Sequence, residues 1–134
     1  MIAKLYRFHG YGSLKGVYQR GQMVRGPLIS LKFEKRDPKR SYRLAVVVSK
    51  KVHKSAVIRN RIRRRVYEIV RQYGAEKLDG LDLVFTVFSE EVAETNQDQL
   101  VKTINDLLGK AVRQTNSPAP NKPEARAIVK SKGN

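Results

Sequence analysis

Apolar residues change their spacing several times along the chain, and each change predicts an element. Residues 13–20 place Leu14, Val17 and Tyr18 on one side of a short helix, which follows Gly10 and Gly12 and closes on Gly21 as its C′ residue. Residues 28–33 and 42–48 read as strands, and Lys35, Arg36, Asp37, Pro38, Lys39 and Arg40 between them read as a hairpin loop that turns at Pro38. Three successive valines, Val46, Val47 and Val48, predict a strand buried on both faces. In residues 55–73, Ile58, Ile62, Val66, Ile69, Val70 and Tyr73 recur at spacings of three and four, the stripe of an amphipathic helix. Ser55 is suited to its N-cap and Gly74 to its stop. Residues 81–88 form a further strand. A last helix over residues 96–113 turns Leu100, Ile104, Leu107, Leu108, Ala111 and Val112 inward, with Thr95 and Asp98 as a capping box. The order is α-β-β-α-β-α, with room for one more short strand that the pattern does not locate. That order predicts a single small α+β sandwich, one sheet packed with helices.

The length of 134 residues fits one domain. Its boundary is set near Gln114: residues 1–114 fold, and 115–134 form a basic tail with Pro118, Pro120 and Pro123 that is expected to stay disordered. The absence of cysteine excludes disulfides, zinc knuckles and a thiol nucleophile. No apolar run reaches the roughly 20 residues of a membrane span, and residues 1–7 lack a secretory h-region, so a cytoplasmic protein is expected.

Charge changes the picture most. The chain carries a formal net charge of +16, distributed as +17 over residues 1–71, −4 over 72–114 and +3 over 115–134. One half nearly free of acid fits a surface built to meet phosphates, and neither a membrane nor a small-molecule substrate is expected. Arg59, Arg61, Arg63, Arg64 and Arg65 occupy five of seven positions in the central helix, and Glu68 is its only acid. At ~100° per residue, Asn60, Arg64 and Arg71 point away from the apolar stripe while Arg63 and Arg65 flank it. The guanidinium fork suits phosphate, and Lys50, Lys51 and Lys54 stand just ahead of the helix N-terminus, where backbone amides also attract anions. A major-groove helix is disfavoured because a valine-rich strand, rather than a short helix, precedes this one. A membrane-surface helix is disfavoured because the core needs its apolar stripe.

Protein-borne hydrolysis would need clustered carboxylates or a histidine pair. His9 and His53 are distant in sequence and read as phosphate or surface contacts. Glu90, Glu91 and Glu94 read as a solvated turn, and no phosphate-binding glycine loop is present. Two classes therefore stand side by side on the residues themselves: a structural RNA-binding protein such as a ribosomal component or RNA chaperone, and a self-sufficient metal-dependent nuclease that would use those glutamates.

The run from Leu44 to Arg64 contains Ser49, Lys50 and Lys51 closing a strand, a short loop, then Arg59, Asn60 and Arg61 opening a basic helix. This run resembles the protein subunit of bacterial ribonuclease P, and Ile62, Arg64 and Glu68 continue the helix in that family's manner. Weaker similarity covers Arg7, Phe8, Tyr18 and Gly21. The resemblance implies a left-handed βαβ crossover through the basic helix. It implies a ribonucleoprotein in which RNA cleaves the 5′ leader from precursor tRNA, with Mg²⁺ held through the RNA and neither metal nor catalytic residue supplied by the protein. Its implied partners are ribonuclease P RNA and precursor tRNA. Arg59, Asn60, Arg61, Arg63, Arg64, Lys50, Lys51 and Lys54 would meet the catalytic RNA. Tyr18, Lys32, Leu14 and Phe8 would meet the leader, in a cleft between the first helix and the sheet. Leu14 and Lys32 stand where the family often has aromatic residues, Tyr67 where arginine is common, and Arg65 where an apolar residue is common.

Overall fold

The computed structural model describes residues 11–37 and 39–116. Helix α1 (Tyr11–Arg20) leads into β1 (Gln22–Arg25), β2 (Ile29–Lys35) and β3 (Arg43–Val48). Helix α2 (Ala56–Tyr73) and the single turn α3 (Ala75–Leu78) come next, followed by β4 (Leu81–Val87), a 3₁₀ turn (Glu90–Glu94) and α4 (Gln97–Asn116). The four strands lie in the order β1-β2-β4-β3. Both β1 and β4 run antiparallel to β2, and β3 runs parallel to β4, so β3, α2 and β4 form a βαβ unit.

Alternation sorts the sheet into two faces. Ile29, Leu31 and Phe33, with Leu44, Val46, Val48, Leu83, Phe85 and Val87, pack against α2 and α4 in the main core. Helix α1 covers the opposite face over β2 and β4, where Val17 and Val84 are fully buried. Ile62, Val66, Ile69 and Val70 are the buried stripe of α2, with Ile58 and Tyr73 at its margin. Ser55 caps this helix by accepting the Ile58 amide at 3.4 Å, and Gly74 ends it at φ +114°, a left-handed conformation that a side chain disfavours.

Several sequence expectations need correction. The short strand left unplaced is β1: with only Val24 buried in four residues, it has no periodicity to read. The loop after β2 does not close a hairpin, because β4 inserts between β2 and β3, and Lys35 belongs to β2. Pro38, its expected turn residue, lies outside the described residues. The valine run is an edge strand rather than a doubly buried one, with Arg43, Ala45 and Val47 half-exposed, and β4 is the strand enclosed on both faces. The α4 cap is Asn96, whose Oδ1 accepts the Gln99 amide at 3.1 Å, while Thr95 donates its hydroxyl to the Glu91 carbonyl. Helix α1 begins two residues earlier than expected, and α4 runs past the expected boundary to Asn116. The expected tail beyond Asn116 falls outside the described residues. Gly21 follows α1 as expected, for a reason of space: a Cβ there would lie 2.4 Å from the Val17 carbonyl oxygen and 2.9 Å from that of Phe33.

Candidate nucleic-acid interface

Strand β3 delivers the chain to a loop that Val52 anchors in the core, its amide bonding to the Ser49 carbonyl at 3.0 Å. Lys50, Lys51 and Lys54 are exposed around this anchor. The first two turns of α2 then separate their arginines by role. Arg59 folds back and donates through Nη1 to the carbonyls of His53 and Lys54, both at 2.9 Å. Arg63 donates to Asn60 Oδ1 at 2.6 Å and to the Val48 carbonyl at 3.3 Å, joining the helix to the end of β3. These two side chains hold the loop and the helix start together while keeping further N–H groups for a ligand. His53 belongs to the same framework, its Nδ1 accepting the Ser55 amide at 3.1 Å.

Arg61 and Arg64 are exposed and make no side-chain hydrogen bond or ion pair among the described residues. With Asn60 they lie on the exposed side of the helix, Arg64 almost opposite the buried stripe and Arg61 nearer its flank. Two other arginines of α2 are engaged. Arg65 reaches across to the 3₁₀ turn and donates to the carbonyls of Val92 (2.9 Å) and Thr95 (2.6 Å), and partial burial lowers its pKa from the usual arginine value. Arg71 pairs with Glu68, its Nε donating at 3.0 Å; that partner and Gln72 hold the Glu68 carboxyl down at about 2. The expected arginine cluster thus divides into two shaping residues, Arg59 and Arg63, two unengaged ones, Arg61 and Arg64, and one structural tie, Arg65.

On the opposite face, Leu14 is half-buried and Tyr18 is 39% exposed along α1. The Lys32 ammonium donates to the Tyr18 carbonyl at 2.8 Å, satisfying an acceptor at the helix end, and lies 5.5 Å from the centre of the Tyr18 ring. The half-exposed Ala45, Val47 and Thr86 share this face beyond α1. Phe8 and His9 lie outside the described residues. Several other charges of this face pair with one another. Arg20 pairs with Glu34 at 2.8 Å, which raises the arginine pKa through hydrogen bonding and charge. The buried Asp82 takes both Arg36 and Arg43, the latter through Nε at 2.9 Å and Nη2 at 2.7 Å. That hydrogen bond raises the Arg43 pKa. Nothing in the sequence pattern marks this cross-strand row, because it depends on the register Glu34–Asp82–Arg43.

Glu90, Glu91 and Glu94 sit on the 3₁₀ turn, where the Ser89 hydroxyl accepts the Glu91 amide. Among the described residues no three His, Asp or Glu side chains gather as metal ligands, and no helix is long and apolar enough to cross a membrane.

Comparison with known proteins agrees with the fold. Residues 2–112 match the family described as Ribonuclease P. The chain is 38% identical over 95 residues to the ribonuclease P protein component of Pseudanabaena sp. (strain PCC 6903), covering 71% of this chain and 81% of that one. It is 33% identical over 128 residues to that of Chloroflexus aurantiacus (strain ATCC 29366 / DSM 635 / J-10-fl), covering 91% and 93%. The fold is similar to the RNase P protein of Staphylococcus aureus, with a TM-score of 0.68 at 22% identity over 81% of this chain and 96% of that one. It is equally similar to the RNase P protein from Thermotoga maritima, with a TM-score of 0.68 at 21% identity over 78% and 96%. The chain belongs to the ribonuclease P protein family, as the protein component of an endoribonuclease ribonucleoprotein that acts in tRNA 5′ processing.

Proposed function

We propose that the solvent face of α2 and the loop ahead of it bind the RNA subunit of ribonuclease P, while the cleft beside α1 receives the 5′ leader of precursor tRNA. The observation that carries the first assignment is the pair Arg61 and Arg64, exposed and unengaged among the described residues, with Lys50, Lys51 and Lys54 beside them. Unpaired cations that the fold does not consume are available to replace counterions on a phosphate backbone. Arg59, Asn60 and Arg63 keep the loop and helix start in one arrangement, so less freedom is lost on binding. In the cleft, Tyr18 and Leu14 offer apolar surface to unpaired bases, and Lys32 sets the Tyr18 ring beside a positive charge. Mg²⁺ bound through RNA phosphates supplies the hydrolytic chemistry in this reading. The contribution of the chain is to bind, orient and neutralise charge, at a cytoplasmic site of action.

The test compares cleavage of a 5′-extended precursor tRNA at low Mg²⁺ by the protein, by a bacterial ribonuclease P RNA and by both together. Correct 5′ cleavage is expected only in the mixture. Arg61→Ala combined with Arg64→Ala is expected to flatten the dependence of log affinity on log salt by about 2 for that RNA. Wild-type affinity and slope in the double variant overturn the α2 assignment. Tight RNA binding without any stimulation of cleavage favours a structural RNA-binding role.

A further inference from the structure

Ser55 is the N-cap of α2, and its hydroxyl accepts the amide of Ile58 at the third helical position. An N-cap residue has an amide of its own to satisfy, and a glutamate or glutamine at that third position commonly reaches back to take it. Here the third position is Ile58, whose side chain has no acceptor. The acceptor comes from upstream instead: His53 Nδ1 takes the Ser55 amide at 3.1 Å. The same residue holds two further parts of the loop. Its backbone amide donates to the Ser49 carbonyl at 3.5 Å, just past the end of β3, and its carbonyl accepts Arg59 Nη1 at 2.9 Å from the first turn of α2. Strand end, lysine loop and helix start therefore meet at His53, with Lys50, Lys51 and Lys54 on either side of it in the chain. An Nδ1 that accepts carries no proton, so the neutral ring keeps its proton on Nε2. A protonated ring is a donor at both nitrogens and turns a donor toward the Ser55 amide.

We propose that His53 is a positioning residue of the RNA interface: its unprotonated Nδ1 holds the lysine loop against the start of α2, and protonating the ring releases that hold and weakens binding of the RNA subunit. The proposal rests on the assignment of α2 to that RNA made above. Histidine is the side chain whose ordinary charge change falls between pH 5 and 8. The charged groups around it are Lys50, Lys51 and Lys54 in the loop and Arg59, Arg61 and Arg63 on α2, while Arg43 of β3 is bound to Asp82 at the far end of that strand. Lysine and arginine ordinarily keep their charge throughout that range. The sign of the pH effect separates positioning from a direct phosphate contact. An imidazolium on a phosphate gains affinity as pH falls, because it adds a cation. A lost cap costs affinity, because the loop must then be ordered on binding.

The experiment measures affinity of the full chain for a bacterial ribonuclease P RNA at about pH 7.5 and about pH 5.5, at fixed salt and Mg²⁺. The chains compared are wild type, His53→Ala, His53→Asn, and Arg61→Ala combined with Arg64→Ala. An asparagine carbonyl accepts the amide two residues on, as in an Asx turn, and does not titrate. At the higher pH, His53→Ala is expected to bind about fivefold more weakly than wild type, and His53→Asn to match wild type. At the lower pH, wild type is expected to fall about fivefold below His53→Asn, toward His53→Ala. Comparing chains at one pH cancels any titration of the RNA. Wild type equal to or stronger than His53→Asn at the lower pH overturns the proposal, and a stronger wild type assigns His53 to a phosphate contact. His53→Ala equal to wild type at the higher pH, or His53→Asn as weak as His53→Ala there, overturns it as well. Full affinity in the arginine double variant is a separate failure, that of the α2 assignment itself.

Discussion

The solvent face of α2 and the sheet face beneath α1 both carry cations, and they use them in opposite ways. Beneath α1, Arg20 is paired with Glu34, Arg36 and Arg43 with Asp82, and Lys32 with the Tyr18 carbonyl. On α2, Arg61 and Arg64 have no such partner among the described residues, and Arg59 and Arg63 are only partly engaged. A positive charge held by an internal carboxylate adds little to the field outside, whereas an unengaged one contributes in full to phosphate binding. The number of basic residues in a sequence therefore overstates its binding cations, and the fold decides which ones count.

The largest expected effect tests the internally paired side. Asp82 is 1% exposed and serves two arginines, so Asp82→Asn is expected to cost about 3 kcal/mol of stability, read by urea unfolding. Its salt slope for the RNA subunit should stay at the wild-type value, because Arg36 and Arg43 sit with Asp82 on the face beneath α1 and not on α2, and a changed slope would mean that one of them meets that RNA after all. Arg65 and Arg64 sharpen the contrast, being sequence neighbours with opposite surroundings. Arg65→Met removes the donors to the Val92 and Thr95 carbonyls and is expected to cost about 1–2 kcal/mol, with RNA affinity nearly unchanged. Arg64→Ala is expected to do the reverse, lowering the salt slope by about 1 with an unmoved unfolding midpoint.

The smallest effect concerns Glu68, whose carboxyl Arg71 holds near 2 against an ordinary 4.5. A depressed carboxyl stabilises the native state above its unfolded pKa and loses that contribution as pH falls through its folded pKa. Wild type should therefore hold a small, constant advantage over Glu68→Gln above about pH 4.5, shrinking to nothing as pH approaches about 2. Thermal unfolding against pH reads this out. The same variant frees Arg71 and should steepen the salt slope at neutral pH, moving one arginine from the paired class to the unengaged one.

Helices, the long strands and the basic surface of α2 are legible in the residue order because their causes are local. A 3.6-residue stripe, a serine cap and a terminal glycine act within a few turns of one another, as at Ser55, Ile62, Val66 and Gly74. The lysines before α2 and the outward direction of Asn60 and Arg64 follow from the same helical period. Strand β1 was not legible, since one buried valine makes no period, nor was the insertion of β4 between β2 and β3. That insertion turns the valine run into an edge, sets Asp82 between Glu34 and Arg43, and carries Phe88 to the side of Arg25. Only the tertiary structure decides these pairings, because they join positions 39 to 63 residues apart through register, and register is a property of the assembled sheet. The sequence alone determined that this chain is a compact cationic α+β protein with an arginine-rich helix. Which arginines remain for RNA was decided by the carbonyls and carboxylates that folding brought within reach of the others.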